Sequence, residues 1–278
     1  MRYNQTETIR DHYDLVSPYY RSLWGPHLHH GFWKGGSETP AEAQEGLIKE
    51  LIARAGIGQG LRILDVGCGI GGSSIYLARN FGAKVTGITL SKVQAEMASA
   101  AAESDGLDVS FRVMDAQDLS FAPDEQFDCI WSIEAISHFH KKKSFFDQAS
   151  KLLVPGGVIA ITDWFGKKGL SDSERTELLE PIERGMLIEL NTLEDYLQMM
   201  ADAGTVVQET GNLSDNVAQT WDFGLDIIQD ESLWQTARDI GADFVHFLDS
   251  FAAMKRGYEA KALEYQLIIS HKPESRLH

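Results

Sequence analysis

Cysteine is nearly absent: Cys68 and Cys129 are the only two in 278 residues. Two cysteines build no disulfide framework, and neither sits at a metal-ligand spacing. A reducing compartment is therefore expected. Nowhere do 18 apolar residues run together, so no stretch reads as a membrane-spanning helix. Residues 1–14 are polar, with no apolar signal core, and together these absences favour the cytoplasm. Positive charge is scarce as well. Twenty-five Lys and Arg stand against 41 Asp and Glu, a formal net charge of -16. Such a surface repels phosphate backbones, which excludes nucleic acid as a partner, and it disfavours anionic membrane surfaces. Its plain consequence is solubility. No G-x-x-x-x-G-K-[ST] string occurs, so a P-loop is excluded. Internal repeats, low-complexity tracts and clear linkers are missing too. What remains is a chain that is 43% hydrophobic, enough for a sizeable core.

What is present centres on Ile63-Leu-Asp-Val-Gly-Cys-Gly-Ile-Gly-Gly72. A mostly apolar run over 61–66 ends in a glycine-dense turn, and a helical pattern begins near Ser73. A strand that stops in such a turn and opens a helix can cradle a nucleotide. Gly67 and Gly69 let the backbone approach a ligand, and the helix start offers free N–H donors. Gly67, Gly69 and Gly72 fit the spacing of a dinucleotide fold. Asp65 two residues before the first glycine, and the further Gly71, point elsewhere.

From there on, strand and helix patterns alternate. Strands are expected at 61–66, 84–88, 109–113, 127–132 and 157–162. Helices are expected at 73–81, 91–103 (capped by Ser91) and 143–153. Segments 205–209 and 265–270 complete the sheet. The rhythm predicts an α/β fold with a mostly parallel sheet and helices on both faces. Helical patterns at 192–203 and 239–258 lie in a region, 164–256, read as a helical lid over the carboxyl ends of the strands. One domain over 1–278 is expected, with 1–45 as an N-terminal cover, 46–163 as the ligand-binding core and 257–278 as the last strand.

Asp65-Val-Gly-Cys-Gly-Ile-Gly71 resembles the first motif of class I methyltransferases, which bind S-adenosylmethionine. Gly87-Ile-Thr-Leu-Ser-Lys-Val-Gln94 resembles the branch containing γ-tocopherol methyltransferases, sugar O-methyltransferases and cyclopropane synthases. So do Tyr13-Asp-Leu-Val-Ser-Pro-Tyr-Tyr20, Trp24-Gly-Pro-His-Leu-His-His-Gly-Phe-Trp33 and the stretches 254–258 and 264–269. The resemblance covers nearly the whole chain. It implies a Rossmann-like seven-stranded sheet and S-adenosylmethionine as cofactor. It also implies contacts from Asp65, Gly67 and Gly69. Thr89 stands where many methyltransferases carry an acidic ribose ligand, so Thr89, Leu90 and Gln94 are implied as ribose contacts. Gln94 reads equally as an exposed helix residue. Asp115, Ala116 and Gln117 fall where an adenine contact is expected, with Asp115 either accepting from the exocyclic amine or capping a helix. Ile133 is expected to pack on the adenine or the methionine arm. The resemblance folds the N-terminal segment over the cofactor, placing Tyr20, His29 and His30 near the methionine end. There Tyr20, Trp24 and Trp33 either face the sulfonium or pin the segment to the core. No ligand spacing completes a metal site around His29, His30, His138 or His140.

A nucleophile with an acidic proton needs a base. Histidine titrates near 6.5, and His138 follows the fourth strand. Sugar O-methylating relatives use a histidine here and an aspartate after the fifth strand, which implies His138 and Asp163 as the catalytic pair. Some relatives have paired histidines, whereas this chain has Ser137-His138. Asp163 either orients His138, binds an acceptor hydroxyl or makes a strand-end turn. Glu134 either binds the acceptor or caps the next helix. Trp24, Glu134 and Trp164 are expected at the acceptor, and the aromatic lid suggests a mostly apolar acceptor pocket. The activity implied is methyl transfer to a natural-product-like small molecule at O, N or activated C. The alternatives are a cyclopropane-type lipid enzyme and a cofactor-binding protein without turnover.

Overall fold

In the computed structural model, residues 5–122 and 124–274 are described. Helix α1 (Gln5–Trp24) and helix α2 (Pro40–Ala55) precede the sheet. Thr39 starts α2 through a capping box with Glu42, and Gly56 ends it in the left-handed region. Then follow β1 (Arg62–Val66), α3 (Gly72–Phe81), β2 (Lys84–Thr89), α4 (Lys92–Asp105), β3 (Val109–Val113) and β4 (Phe127–Ile133). A single turn at Ile136–His138 leads to α5 (Lys142–Leu152) and β5 (Leu153–Gly166). Beyond β5 come α6 (Asp172–Leu178), α7 (Glu180–Met186), α8 (Leu193–Asp202) and β6 (Val206–Asn212). The chain then runs through α9 (Ser214–Val217), α10 (Thr220–Ile227), α11 (Glu231–Ile240), α12 (Ala242–Glu259) and β7 (Leu263–His271).

The seven strands are ordered β3-β2-β1-β4-β5-β7-β6. Neighbours are parallel except that β7 runs antiparallel to both β5 and β6. This is the doubly wound, mostly parallel sheet that the alternating pattern predicts. Side chains alternate between two cores, as strand geometry requires. Ile63, Cys129, Trp131 and Ala160 pack on the face covered by α2 and α12. Leu64, Ile130, Ile159 and Ile161 pack on the other face, against Phe145, Phe146 and Tyr196. The strand order reverses between β1 and β4, so the crevice beyond their carboxyl ends is the place for a ligand.

Three local expectations are corrected. The helix expected over 239–258 is broken at Gly241, so α11 and α12 are separate. The fifth strand starts before the Pro155-Gly156-Gly157 turn and runs on to Gly166. Asp163 and Trp164 therefore lie within β5, paired with Gln266 and Tyr265, rather than beyond its end.

Candidate active site

The turn after β1 is built on positive φ. Gly67 has φ 72° and Gly69 φ 53°. A Cβ on Gly67 would collide with that of Ala135, so the backbone there lies against the loop after β4. Asp65 is 2% exposed and accepts a bond from the Ser74 hydroxyl at 2.6 Å. Burial pushes its carboxyl up to about 7, and the Ser74 bond pulls the other way.

A cavity of about 1400 Å³, counted out to its open mouth, lies over this turn. Asp65, Gly67, Gly69, Thr89, Leu90, Gln94, Asp115, Ala116 and Ile133 all line it. The Thr89 hydroxyl donates to Gln94 Oε1 at 2.7 Å. That bond leaves the Gln94 amide N–H groups for a ligand hydroxyl. Asp115 Oδ1 accepts from the backbone N–H of Gln117 at 2.9 Å, which leaves Oδ2 for a ligand amine. Gln117 does not line the cavity. Its Oε1 accepts from the N–H groups of His140 and Lys141, both at 2.8 Å, so its work is to brace the loop before α5.

The N-terminal segment supplies the opposite wall with Tyr20, Trp24, His29 and His30. Tyr20 packs edge-on against Phe247. His29 donates from Nδ1 to the His30 carbonyl at 2.8 Å, leaving its buried Nε2 without a partner. Burial lowers its pKa. His30 is tied down more firmly. The indole N–H of Trp221 donates to His30 Nε2 at 2.8 Å, and an indole can only donate. The ring proton is therefore on Nδ1, which donates to Glu134 Oε2 at 3.1 Å. Glu134 Oε1 accepts from the His30 backbone N–H and the Tyr265 hydroxyl. Burial alone would raise the Glu134 carboxyl, but His30, with help from Tyr265, holds it below the usual range. Glu134 lines the cavity, and its two oxygens also hold the N-terminal loop.

His138 is 8% exposed and sits on the cavity wall. Its Nδ1 lies 3.0 Å from the Leu187 carbonyl, which can only accept, so Nδ1 carries the proton. The Nε2 lone pair is left to receive the Tyr13 hydroxyl at 3.0 Å. Burial, partly countered by the Leu187 bond, lowers His138 to about 4, so the ring is neutral near pH 7. Burial raises the Tyr13 phenol. Leu187 itself has φ 56°, an uncommon conformation for leucine that turns its carbonyl to the ring.

Asp163 does not touch His138, which corrects the expected pair. Odd and even positions of β5 face opposite sides of the sheet, so Trp164 lines the cavity while Asp163 does not. Asp163 Oδ2 accepts from the Ser137 N–H at 2.8 Å, and Oδ1 from the Trp164 N–H at 2.9 Å. Burial pushes its carboxyl up to about 6. Lys142 Nζ donates to the Phe139 carbonyl at 2.6 Å. Asp163 and Lys142 thus clamp the turn that carries His138. Sequence reasoning misses two partners of His138, Tyr13 and Leu187. Tyr13 lies within the 13–20 motif, whereas Leu187 carries no signal.

No described Arg or Lys lines the cavity. Among the described residues, no group of three His, Cys, Asp or Glu could hold a metal ion. The residues do fit a sulfonium nucleoside: a turn with positive φ at Gly67 and Gly69, Gln94 on the cavity wall with its Oε1 already bonded to Thr89, and an unpartnered Nε2 on His29.

The comparisons agree with that fit. The chain is 32% identical to the chloroplastic tocopherol O-methyltransferase of Arabidopsis thaliana over 291 residues, covering 95% of this chain and 82% of that protein. It is 30% identical to the 27-O-demethylrifamycin SV methyltransferase of Amycolatopsis mediterranei, covering 94% and 96%. The crystal structure of the mycolic acid cyclopropane synthase CmaA1, complexed with SAH and CTAB, superposes with a TM-score of 0.84 at 21% identity, covering 96% and 98%. A family model described as mycolic acid cyclopropane synthetase matches residues 1–253. The chain belongs to that family, within the class I branch it shares with the tocopherol and antibiotic methyltransferases, and it is an S-adenosylmethionine-dependent methyltransferase acting on small molecules.

Proposed function

We propose that the acceptor is an uncharged, largely apolar, ring-bearing molecule of natural-product type, methylated at a hydroxyl, and that Tyr13 and His138 remove its proton. The observation that carries this is the Nε2 of His138, held as an acceptor at the cavity wall by the Leu187 bond and facing Tyr13. Trp164, Trp221, Phe247 and Phe251 give that end of the cavity an aromatic lining. The named hydroxyl methylases among the relatives support the choice of oxygen. With a phenol, the same deprotonation loads electron density onto the ortho carbon.

S-adenosylmethionine, when bound, supplies an electrophilic methyl group on a sulfonium centre. Gly67, Gly69 and Asp65 would hold its methionine arm, Thr89, Leu90 and Gln94 its ribose, and Asp115, Ala116 and Ile133 its adenine. His29 Nε2 is free to accept from its ammonium group. The aromatic wall and the N-terminal cover exclude water, which strengthens alignment and electrostatics alike. As the acceptor oxygen takes up the methyl carbon, the carbon–sulfur bond would break with its electron pair passing to sulfur, and the acceptor's proton would pass to the Tyr13 oxygen. The Tyr13 proton moves to His138 Nε2 in the same step. The Leu187 carbonyl steadies the imidazolium through Nδ1–H, and Asp163 and Lys142 keep the turn in place.

The whole chain works as one methyltransferase domain on this reading, with 1–45 as the cover, 46–163 as the core and 164–256 framing the acceptor. Both cysteines are unpaired and buried, which suits a reducing, cytoplasmic setting. Nucleic acid and membrane insertion play no part in it.

The test is an acceptor library of phenols, macrolide and sugar alcohols, amines and lipids, assayed with methyl-labelled cofactor. Turnover of neutral hydroxyl compounds that His138→Gln abolishes supports the reading. Exclusive turnover of amines or unsaturated acyl lipids, or full activity in His138→Gln, overturns it.

A further inference from the structure

Tyr13 and Asp14 are adjacent on α1 but reach two different parts of the site. Successive helical residues point about 100° apart, so one helix can address two neighbours at once. Tyr13 meets His138 after β4. Asp14 Oδ1 accepts from the Ser91 hydroxyl and from the Val93 N–H, the latter at 3.2 Å. Those two groups form the first turn of α4, directly after β2.

That turn is part of the cofactor wall. Ser91 is the N-cap of α4, and its hydroxyl oxygen accepts from the Gln94 N–H at 3.0 Å while its proton goes to Asp14. Leu90 and Gln94 face the cavity. Asp14 therefore acts as a second cap from outside the helix, with a negative charge at the positive end of the α4 dipole. Its carboxylate shares a hydrogen-bonded chain with the side chain that aims at the ribose: Asp14, Ser91, Gln94, Thr89. The same carboxylate fixes the rotation of α1 that seats Tyr13 on His138.

We infer that Asp14 is a positioning residue: through Ser91 and the first turn of α4, filling of the ribose subsite fastens α1 and thereby seats Tyr13 against His138. The coupling is reciprocal, so α1 docking tightens cofactor binding by the same factor. The inference rests on the reading of the cavity given above, and it adds a route by which the cofactor completes the proton relay before the acceptor reacts.

The first experiment, limited proteolysis, needs no acceptor, and the kinetic readout that follows it uses an acceptor turned over in the library screen. Arg10 and Arg21 are exposed on α1 and open to trypsin only when the helix opens locally. In wild type, saturating S-adenosylhomocysteine should slow cleavage at these sites by about 10-fold. Asp14→Ala should keep its melting temperature within a few degrees and lose most of that protection, even when saturated. Asp14→Asn, which can still accept both bonds, should retain it. Asp14→Ser takes the place of alanine if the latter does not fold, since its shorter side chain cannot span to Ser91. Equal protection of wild type and Asp14→Ala, each saturated, overturns the inference. A second readout separates positioning from mere stability. The kcat of Tyr13→Phe/Asp14→Ala at saturating cofactor should equal that of Tyr13→Phe alone, because Asp14 acts through Tyr13. Multiplicative losses overturn the route. Because the proteolysis is independent of turnover, it stands even if His138 proves not to be the base, and failure of one is distinguishable from failure of the other.

Discussion

The Tyr13 hydroxyl lies 3.0 Å from Nε2 of His138, while Nδ1 of the same ring is fixed on the Leu187 carbonyl. The ring thus has one tautomer and one open lone pair, and that lone pair is reached through a phenol. If Tyr13 merely blocked the base, removing its hydroxyl would leave the rate unchanged or raise it. In a relay, the removal breaks proton transfer. Tyr13→Phe and His138→Gln should therefore each lower kcat by about 10²–10⁴-fold with little change in S-adenosylhomocysteine affinity. The double variant should be no worse than either alone. Steady-state kinetics and calorimetry check this, and an undiminished Tyr13→Phe enzyme would remove the phenol from the mechanism.

The glycine cradle gives a cleaner structural test. Gly67→Ala forces a left-handed backbone on alanine at φ 72° and drives its Cβ into Ala135. Strain and overpacking add, for a cost of more than about 2 kcal/mol, and the displaced turn meets the methionine arm. Calorimetry should find no S-adenosylhomocysteine binding to Gly67→Ala, with a lowered melting temperature. Wild-type affinity in this variant would mean that the cofactor does not rest on the turn.

Why that cradle was legible while the proton relay was not comes down to distance along the chain. A glycine turn, its capping serine and an alternating strand pattern are local requirements, so they are written in consecutive residues. Tyr13 and His138 are 125 positions apart, and Asp14 and Ser91 are 77 apart. No pattern within one element encodes such pairs. Asp163 shows a different limit. Expecting it beyond a strand end left its direction open, whereas two further turns of pleat before Gly166 put it on the far face. Parity along a strand decides which side a residue serves, and one uncertain strand end is enough to lose it. Glu134 was seen as polar and near the site, yet its partners, His30 and Tyr265, come from distant segments.

The Glu134 side chain accepts every bond it makes, and this sets up a sharp response to an isosteric change. In Glu134→Gln, one oxygen becomes an NH₂ group facing the Nδ1–H of His30. His30 cannot shift its proton to Nε2, because Trp221 already donates there. Two donors then face each other in a site where Glu134 and His30 side chains are 5% and 2% exposed. Loss of a charged hydrogen bond with a buried group left unsatisfied costs about 2–3 kcal/mol. Chemical denaturation should show that loss, and removing the indole donor with Trp221→Phe should recover part of it. Equal stabilities of wild type and Glu134→Gln would contradict the tautomer assigned to His30.

Acid should weaken the fold chiefly through its buried histidines. Burial lowers His138 and His12 from 6.5 to about 4, and His27 to about 3. In the unfolded chain these rings take up protons near 6.5, so the stability they hold is full above that value and is lost as pH falls through it toward 4. For His138 alone the span corresponds to roughly 3 kcal/mol. Asp65 and Asp163 work in the opposite sense. Burial raises them from 3.8 to about 7 and about 6, so the folded state holds their protons and gains as pH falls. Two carboxylates offset only part of three histidines. The melting temperature should drop between pH 6.5 and 4, more gently in His138→Gln than in wild type. Where the fold persists, the acid limb of kcat/KM should lie near pH 4, well below the ordinary histidine value. A limb centred at 6.5 would mean that the ring is not desolvated as its burial indicates.

The charge of the cavity predicts what it refuses. Asp65, Asp115 and Glu134 line it and no described Arg or Lys does. An anionic acceptor would lose its hydration on entering and gain no cationic side chain, a penalty of several kcal/mol that the aromatic wall cannot repay. Matched pairs make the comparison clean: a phenol or alcohol and the same compound carrying a phosphate or sulfate away from the reacting hydroxyl. The neutral member should be favoured by at least about 100-fold in kcat/KM, since roughly 3 kcal/mol of unpaired burial corresponds to that ratio. Placing a cation on the cavity wall, as in Met186→Arg, should narrow the gap by admitting the anion and slowing its neutral partner. If the anionic members react as well as the neutral ones in wild type, a cation must reach the acceptor from outside the cavity wall, and the acceptor class proposed here fails.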